Sequence, residues 1–166
     1  MSKGDDFLEF QMALTDALMT FQYIEEGLKM YIERAYWIIL KKVGNAIPIR
    51  LSRDDIETKP LNRLLDHFAK YNSNDSLVAE LRGLTKERNY CAHQAFLLTV
   101  SETEDADYMR KHIDKIKEIK VMANRGLQRL FKEAHQIEET VKSLGQLPGA
   151  SATPTAAPGS EQPEAE

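Results

Sequence analysis

The chain has little that would break, kink or cross-link it. Of 166 residues eight are Gly and six are Pro, and only Pro48 and Pro60 precede residue 148. Long uninterrupted stretches remain, which favours helices over strands and turns. The single cysteine, Cys91, excludes an internal disulfide and a CxxC metal site and suits a reducing cytosol. The most apolar window, Tyr36-Trp37-Ile38-Ile39-Leu40, falls far short of the ~20 residues that cross a bilayer. The first six residues are polar and acidic, without the basic-then-apolar order of a signal peptide. A cytoplasmic protein without membrane association is expected. Phosphate-loop, dinucleotide-binding, zinc-protease and nucleophile-elbow motifs are missing. The histidines, at 67, 93, 112 and 135, are too dispersed for a metal cage, so neither a metal nor a cofactor is expected.

Basic charge is scarce overall and concentrated in one place. The formal net charge is −4, and the stretch after Ser143 has no Lys or Arg while Glu161, Glu164 and Glu166 supply three negatives, leaving −1 for the rest. Within that rest, Arg110 to Lys132 carries eight basic residues against Asp114 and Glu118, a surplus of six. Such a surplus is either a solvated helix face or a surface for a polyanion. Lys111, Lys115, Arg125 and Arg129 are the candidate RNA contacts.

Apolar periodicity supplies the fold class. Phe7, Phe10, Leu14, Ala17, Phe21, Ile24, Leu28, Tyr31, Ala35 and Ile38 alternate spacings of three and four, predicting one helix from about Asp5 to Lys42. Gly27 is its weak point, and Gly44-Asn45 its stop. Residues 43–58 read as a connection. A second helix is expected from Thr58 as N-cap with Pro60 in its first turn, carrying Leu61, Leu64, Leu65 and Phe68. A third should start with Asp75 or Ser76 as cap and run to about Val100 on the stripe Leu77, Leu81, Leu84, Cys91, Ala95 and Leu98. After a polar turn at 101–105, the stripe from Met109 to Leu144 predicts a fourth long helix, interrupted at Lys120 and bent at Gly126. Two long helices separated by a shorter pair predict an all-α antiparallel bundle of four to five helices over residues 1–144. Residues 145–166, rich in Pro, Ala, Ser and Glu, lack the apolar bulk to offset their ordering entropy and read as a disordered tail.

The motif worth weighing lies in the third helix: Glu87-Arg88-Asn89-Tyr90-Cys91-Ala92-His93. Arg88 falls in the arc of Leu81 and Leu84, and a buried guanidinium must find a carboxylate, a polar cavity, a subunit interface or an anion. His93 lies on the side of Asn89 and Lys86, about 140° from Arg88 at ~100° per residue. Arginine forks onto phosphate oxygens and balances transition-state charge. Histidine near neutrality takes a proton from a ribose 2′-OH or gives one to a leaving 5′-oxygen. The pair suits metal-free RNA cleavage; the alternative is a buried polar network with no ligand. Cys91, seven residues after Leu84, reads as a small buried thiol rather than a nucleophile.

The stretch Leu81 to His93 resembles the motif region of HEPN domains, whose signature is an arginine, four to six residues, then a histidine, often with a polar residue directly after the arginine. Arg88, Asn89 and His93 match the shortest spacing, and Ala92 is a frequent companion. The order of long, short, motif-bearing and long helices is also similar. The resemblance implies a helical bundle that dimerises and brings two motifs together in a cleft. Many relatives are metal-independent endoribonucleases of toxin–antitoxin and defence systems, and others are non-catalytic binding or adaptor modules. In the nuclease reading Arg88 stabilises the phosphate and His93 transfers protons, with Asn89, Glu87 and Lys86 supporting. RNA or a nucleotide, a second copy of the chain and an antitoxin are the partners implied. Ala95 stands where the toxins paired with small nucleotidyltransferase antitoxins have a tyrosine, so the resemblance is to the wider family.

Overall fold

The computed structural model describes residues 3–44, 46–47, 54–97 and 106–145. Every regular element among them is a helix: α1 (Lys3–Val43), α2 (Asp54–Glu57), α3 (Leu61–Tyr71), α4 (Asp75–Leu97) and α5 (Ala106–Ser143). The expected turn at 101–105, Leu98 to Val100 and the tail at 146–166 lie outside the described residues, as does the side chain of Ala95.

Local chemistry explains the boundaries. With 41 residues α1 is about 61 Å long, Asp5 and Asp6 in its first turn and Lys41 and Lys42 in its last complementing the dipole. α2 falls within the expected connection, and Ile56, fully buried, anchors it to the core. The N-cap of α3 lies two residues later than expected, at Pro60 rather than Thr58. Pro60 disfavours helical geometry at Lys59, so Pro60 itself, in extended backbone at φ −69° and ψ 158°, takes the N-cap place in front of Leu61. Its carbonyl accepts from the N–H groups of Arg63 at 2.9 Å and Leu64 at 3.1 Å. The cap of α4 is Asn74 rather than Asp75 or Ser76, since the Leu77 N–H donates to Asn74 Oδ1 at 3.1 Å. α5 ends at Ser143, and two residues on Gly145, with a φ of 100°, takes a left-handed conformation open to glycine.

The direction of the long helices follows from which residues meet. Arg110 pairs with Asp6 and Glu9, Lys120 with Asp16, and Arg34 with Glu138. Residue numbers climb together along both helices, so α1 and α5 lie side by side and run parallel. Along α4 and α5 they oppose: Ser76 and Glu80 meet Arg129, and Tyr90 meets His112. The bundle is therefore antiparallel between α4 and α5. The α3–α4 segment carries the chain back, so α5 starts again beside the beginning of α1. α3 lies on the second half of α1, where Tyr31 sits edge-on to Phe68 at 4.7 Å and the Tyr36 hydroxyl bonds His67 at 3.1 Å.

One core joins these helices. Phe10, Phe21, Ile24, Leu28 and Ile32 of α1 pack with Leu64, Leu65 and Phe68 of α3, Leu77, Leu81 and Leu84 of α4, and Ile113, Ile116 and Leu130 of α5. Each such side chain contributes about 1.5–3 kcal/mol on burial. The stripe of α5 is not interrupted at Lys120: buried Ile119 fills the interval, and Lys120 turns out to Asp16 at 2.5 Å. Nor do Gly27 and Gly126 break their helices; both mark close crossings. A Cβ at Gly27 would meet Leu130 of α5 at 3.0 Å, and one at Gly126 would meet Leu84 and Leu81 of α4 at 3.0 and 3.1 Å.

Candidate functional site

α4 positions the motif. Its Leu77, Leu81, Leu84 and Cys91 are buried, and the same rotation carries Arg88 toward the core side. The expected burial of Arg88 does not occur. Its side chain is 41% exposed at the edge of the α1–α4 seam, where Nε lies 3.6 Å from Glu25 Oε1 of α1. Of the partners a core-facing arginine needs, it has found a carboxylate, with solvent on its other side. The Glu25 side chain is only 16% exposed.

Lys86, Asn89 and His93 are exposed and share one outward stripe of α4 with Arg82. Arg82 is tied to Asp66 of α3 at 2.9 Å. His93 makes no hydrogen bond or ion pair among the described residues. Arg88 and His93 thus stand on different sides of one helix, and a single chain does not bring them together. Glu87 is half-buried on the flank nearest Cys91. Burial first, and then the charge of Glu87, push the Cys91 thiol up to about 11, so it stays protonated near neutrality.

A second cluster sits where α4 and the first turns of α5 meet. The Tyr90 hydroxyl is bonded to Nδ1 of His112, the two rings are stacked with centroids 6.0 Å apart, and Lys115 Nζ lies 3.7 Å from the centre of the Tyr90 ring. A cation at that distance over an aromatic face is attracted by the ring quadrupole. Sequence reading passed over Tyr90 and His112 as a pair. The signal for it is that they lie at similar sequence distances from the stretch joining α4 to α5, so antiparallel packing sets them opposite each other.

The basic residues of α5 divide by partner. Arg125 and Arg129 both bind Glu80 of α4, whose side chain is 14% exposed. Burial raises the Glu80 carboxyl, but hydrogen bonds from Arg125 and Arg129 outweigh it and hold the group below the usual carboxylate range. Arg110, Lys117 and Lys120 are paired with acids of α1. Lys111 and Lys115 are exposed and have no carboxylate partner among the described residues. Of the four candidate RNA contacts, the pairings leave Lys111 and Lys115 the more available.

Two clefts open elsewhere. One lies between α1 and α5 beside Leu8, Met12, Lys117 and Lys120, and the other between Tyr31, Asn72, Glu133 and Thr140. In the second, Asn72 Nδ2 donates to the Tyr31 hydroxyl at 3.1 Å and to Glu133 at 3.0 Å, while Asn74 Nδ2 donates to the other Glu133 oxygen at 2.7 Å. This network pins the α3–α4 turn onto both long helices. No set of three His, Cys, Asp or Glu side chains among the described residues is arranged to hold a metal ion, and no helix among them is long and apolar enough to cross a membrane. No protein-family model, curated protein or solved structure matches this chain.

Proposed function

We propose that this chain is a HEPN-like endoribonuclease of the toxin or defence type that cleaves RNA without a metal ion and works as a homodimer. One observation carries the reading: both motif groups are presented to solvent from α4, and neither is consumed in a closed core. Among the described residues Arg88 is held only by a 3.6 Å ion pair with one side open to solvent, a pairing an RNA phosphate can displace. In the reaction the ribose 2′-oxygen attacks phosphorus and loses its proton, the P–O5′ bond breaks, and the 5′-oxygen takes a proton. The products are a 2′,3′-cyclic phosphate and a 5′-hydroxyl. Arg88 stabilises the charge on the phosphate oxygens and His93 moves a proton. Asn89, with Lys86 and Glu87, supports them from the same turns of the helix.

A two-chain site answers the separation of about 140° between Arg88 and His93, since a two-fold axis sets Arg88 of one protomer beside His93 of its partner. The Arg88–Glu25 pair favours a second reading, an RNA-binding or adaptor module in which Arg88 is structural. The test is cleavage of a labelled RNA in EDTA by the wild type, Arg88→Ala and His93→Ala. Loss in both variants with the fold and dimer retained supports the nuclease; unchanged cleavage in both removes these residues from the mechanism. Mixing the two inactive variants then distinguishes a shared site. Half the dimers become mixed and each has one intact pair of residues, so about a quarter of wild-type activity returns; a site within one chain returns none.

A further inference from the structure

The long basic stretch of α5 is not one surface. Acids of α1 neutralise its middle and Glu80 neutralises Arg125 and Arg129. Three lysines are left without a carboxylate partner among the described residues: Lys132 stands alone toward the far end, and Lys111 and Lys115 stand one helical turn apart where Tyr90 and His112 meet. The geometry points to a phosphate-binding patch for single-stranded RNA made of Lys111 and Lys115, with Tyr90 and His112 as the positioning pair beneath them. This rests on the nuclease reading for the identity of the ligand and deepens it by saying where the strand lies.

Three features support the patch. Lys115 is held over the Tyr90 ring at 3.7 Å, so its ammonium is placed without a carboxylate and keeps its charge for an incoming anion. Tyr90 is itself fixed, since its hydroxyl is bonded to His112 and the rings are stacked. Tyr90 also sits inside the motif, one turn after Lys86 and one before His93, both of which are exposed. A strand contacting Lys111 and Lys115 therefore passes directly beside the motif face of α4. Glu87 is the acid nearest this corner on α4; it raises the Cys91 pKa and lies beyond salt-bridge distance of Lys115.

The experiment compares two double variants with the same loss of charge. Lys111→Gln/Lys115→Gln removes the patch, and Lys117→Gln/Lys120→Gln removes two lysines already paired with acids on the same helix. Binding of a fluorescein-labelled single-stranded RNA is measured by anisotropy across a salt series, with cleavage blocked by His93→Ala. Each phosphate contact adds about 0.7 to the salt slope of single-strand binding, so loss of the patch lowers the slope by about 1.4 and weakens binding about 25-fold at 0.1 M salt. The control pair stays within a few-fold of the parent. Equal effects of the two pairs overturn the patch and leave the catalytic reading standing if His93-dependent cleavage is seen. Patch-dependent binding with no cleavage by the wild type supports the patch and overturns the nuclease. No RNA binding by the wild type overturns both.

Discussion

Glu25→Gln separates an arginine waiting for phosphate from one that is merely part of the fold. Glu25 and Arg88 stand 3.6 Å apart, which gives about 1.2 kcal/mol of attraction in water. The Arg88 side chain is 41% exposed, and pairs of this kind measure about 0–1 kcal/mol, so solvent keeps the interaction near the lower figure. An RNA phosphate that recruits Arg88 must give up that pairing. Neutralising Glu25 without changing its shape removes the competition and one repelling charge, so RNA affinity rises by up to about fivefold, the equivalent of 1 kcal/mol. The fold loses no more than about the same amount. The assay is single-turnover cleavage with anisotropy binding for the wild type, Glu25→Gln, Arg88→Ala and the double variant. Most of the gain must vanish in the Arg88→Ala background, where only the relief of one repelling charge remains. A gain of equal size there refutes the reasoning. So does a fall in activity to the Arg88→Ala level, which would make Glu25 the residue that positions Arg88 rather than its competitor.

Two further predictions concern the scaffold. Asn72→Ala removes donors to the Tyr31 hydroxyl and the Glu133 carboxylate and the acceptor of the Asn74 N–H at 2.8 Å, a loss of about 3 kcal/mol. At about 2–4 °C per kcal/mol the thermal midpoint falls by ~6–12 °C, and a shift under ~2 °C would remove the network from the account. Glu80, with its carboxyl held low by two arginines, contributes stability that is complete above the ordinary glutamate pKa of about 4.3 and is lost as pH falls through the lower folded value. The stability gap between the wild type and Glu80→Gln in urea titrations therefore shrinks below about pH 4.3, and a gap independent of pH contradicts the assignment.

The helices are legible in the sequence because burial imposes its period on them. Phe10, Leu14, Phe21, Ile24 and Leu28 repeat at three and four and all lie in the core. Their directions are harder to read, since a stripe says which face is buried and nothing about which end of a neighbour it meets. The parallel run of α1 and α5 is set by the length of chain that α3 and α4 carry back between them. The same limit applies to Arg88. Its place in the Leu81 and Leu84 arc is read correctly from the helical angle, but the angle cannot reveal that α1 offers Glu25 at that level instead of an apolar wall. Gly27 and Gly126 look like helix breakers in sequence because propensity is a local quantity. In the fold each admits a leucine of a crossing helix 3.0 Å from where a Cβ would be, and packing decides.

The pairing pattern also answers why an acidic chain would carry a basic helix. A helix with a surplus of six positive charges repels itself, and two routes relieve this: salt from solution or acids from neighbouring helices. Here Asp6, Glu9 and Asp16 of α1 and Glu80 of α4 take up Arg110, Lys117, Lys120, Arg125 and Arg129. Those charges therefore help hold α1, α4 and α5 together and contribute little to the field outside. Lys111 and Lys115 are treated differently, with an aromatic ring under one and, among the described residues, no acid paired with either. An acid on the facing turn of α4 would cancel the charge of Lys115, and the residue there is Tyr90. A tyrosine at that place holds a lysine without cancelling its charge, which is what a phosphate site requires and what a bundle needing only cohesion does not. Most cations of the helix thus serve cohesion, and the end nearest His93 carries the two lysines of the proposed phosphate patch.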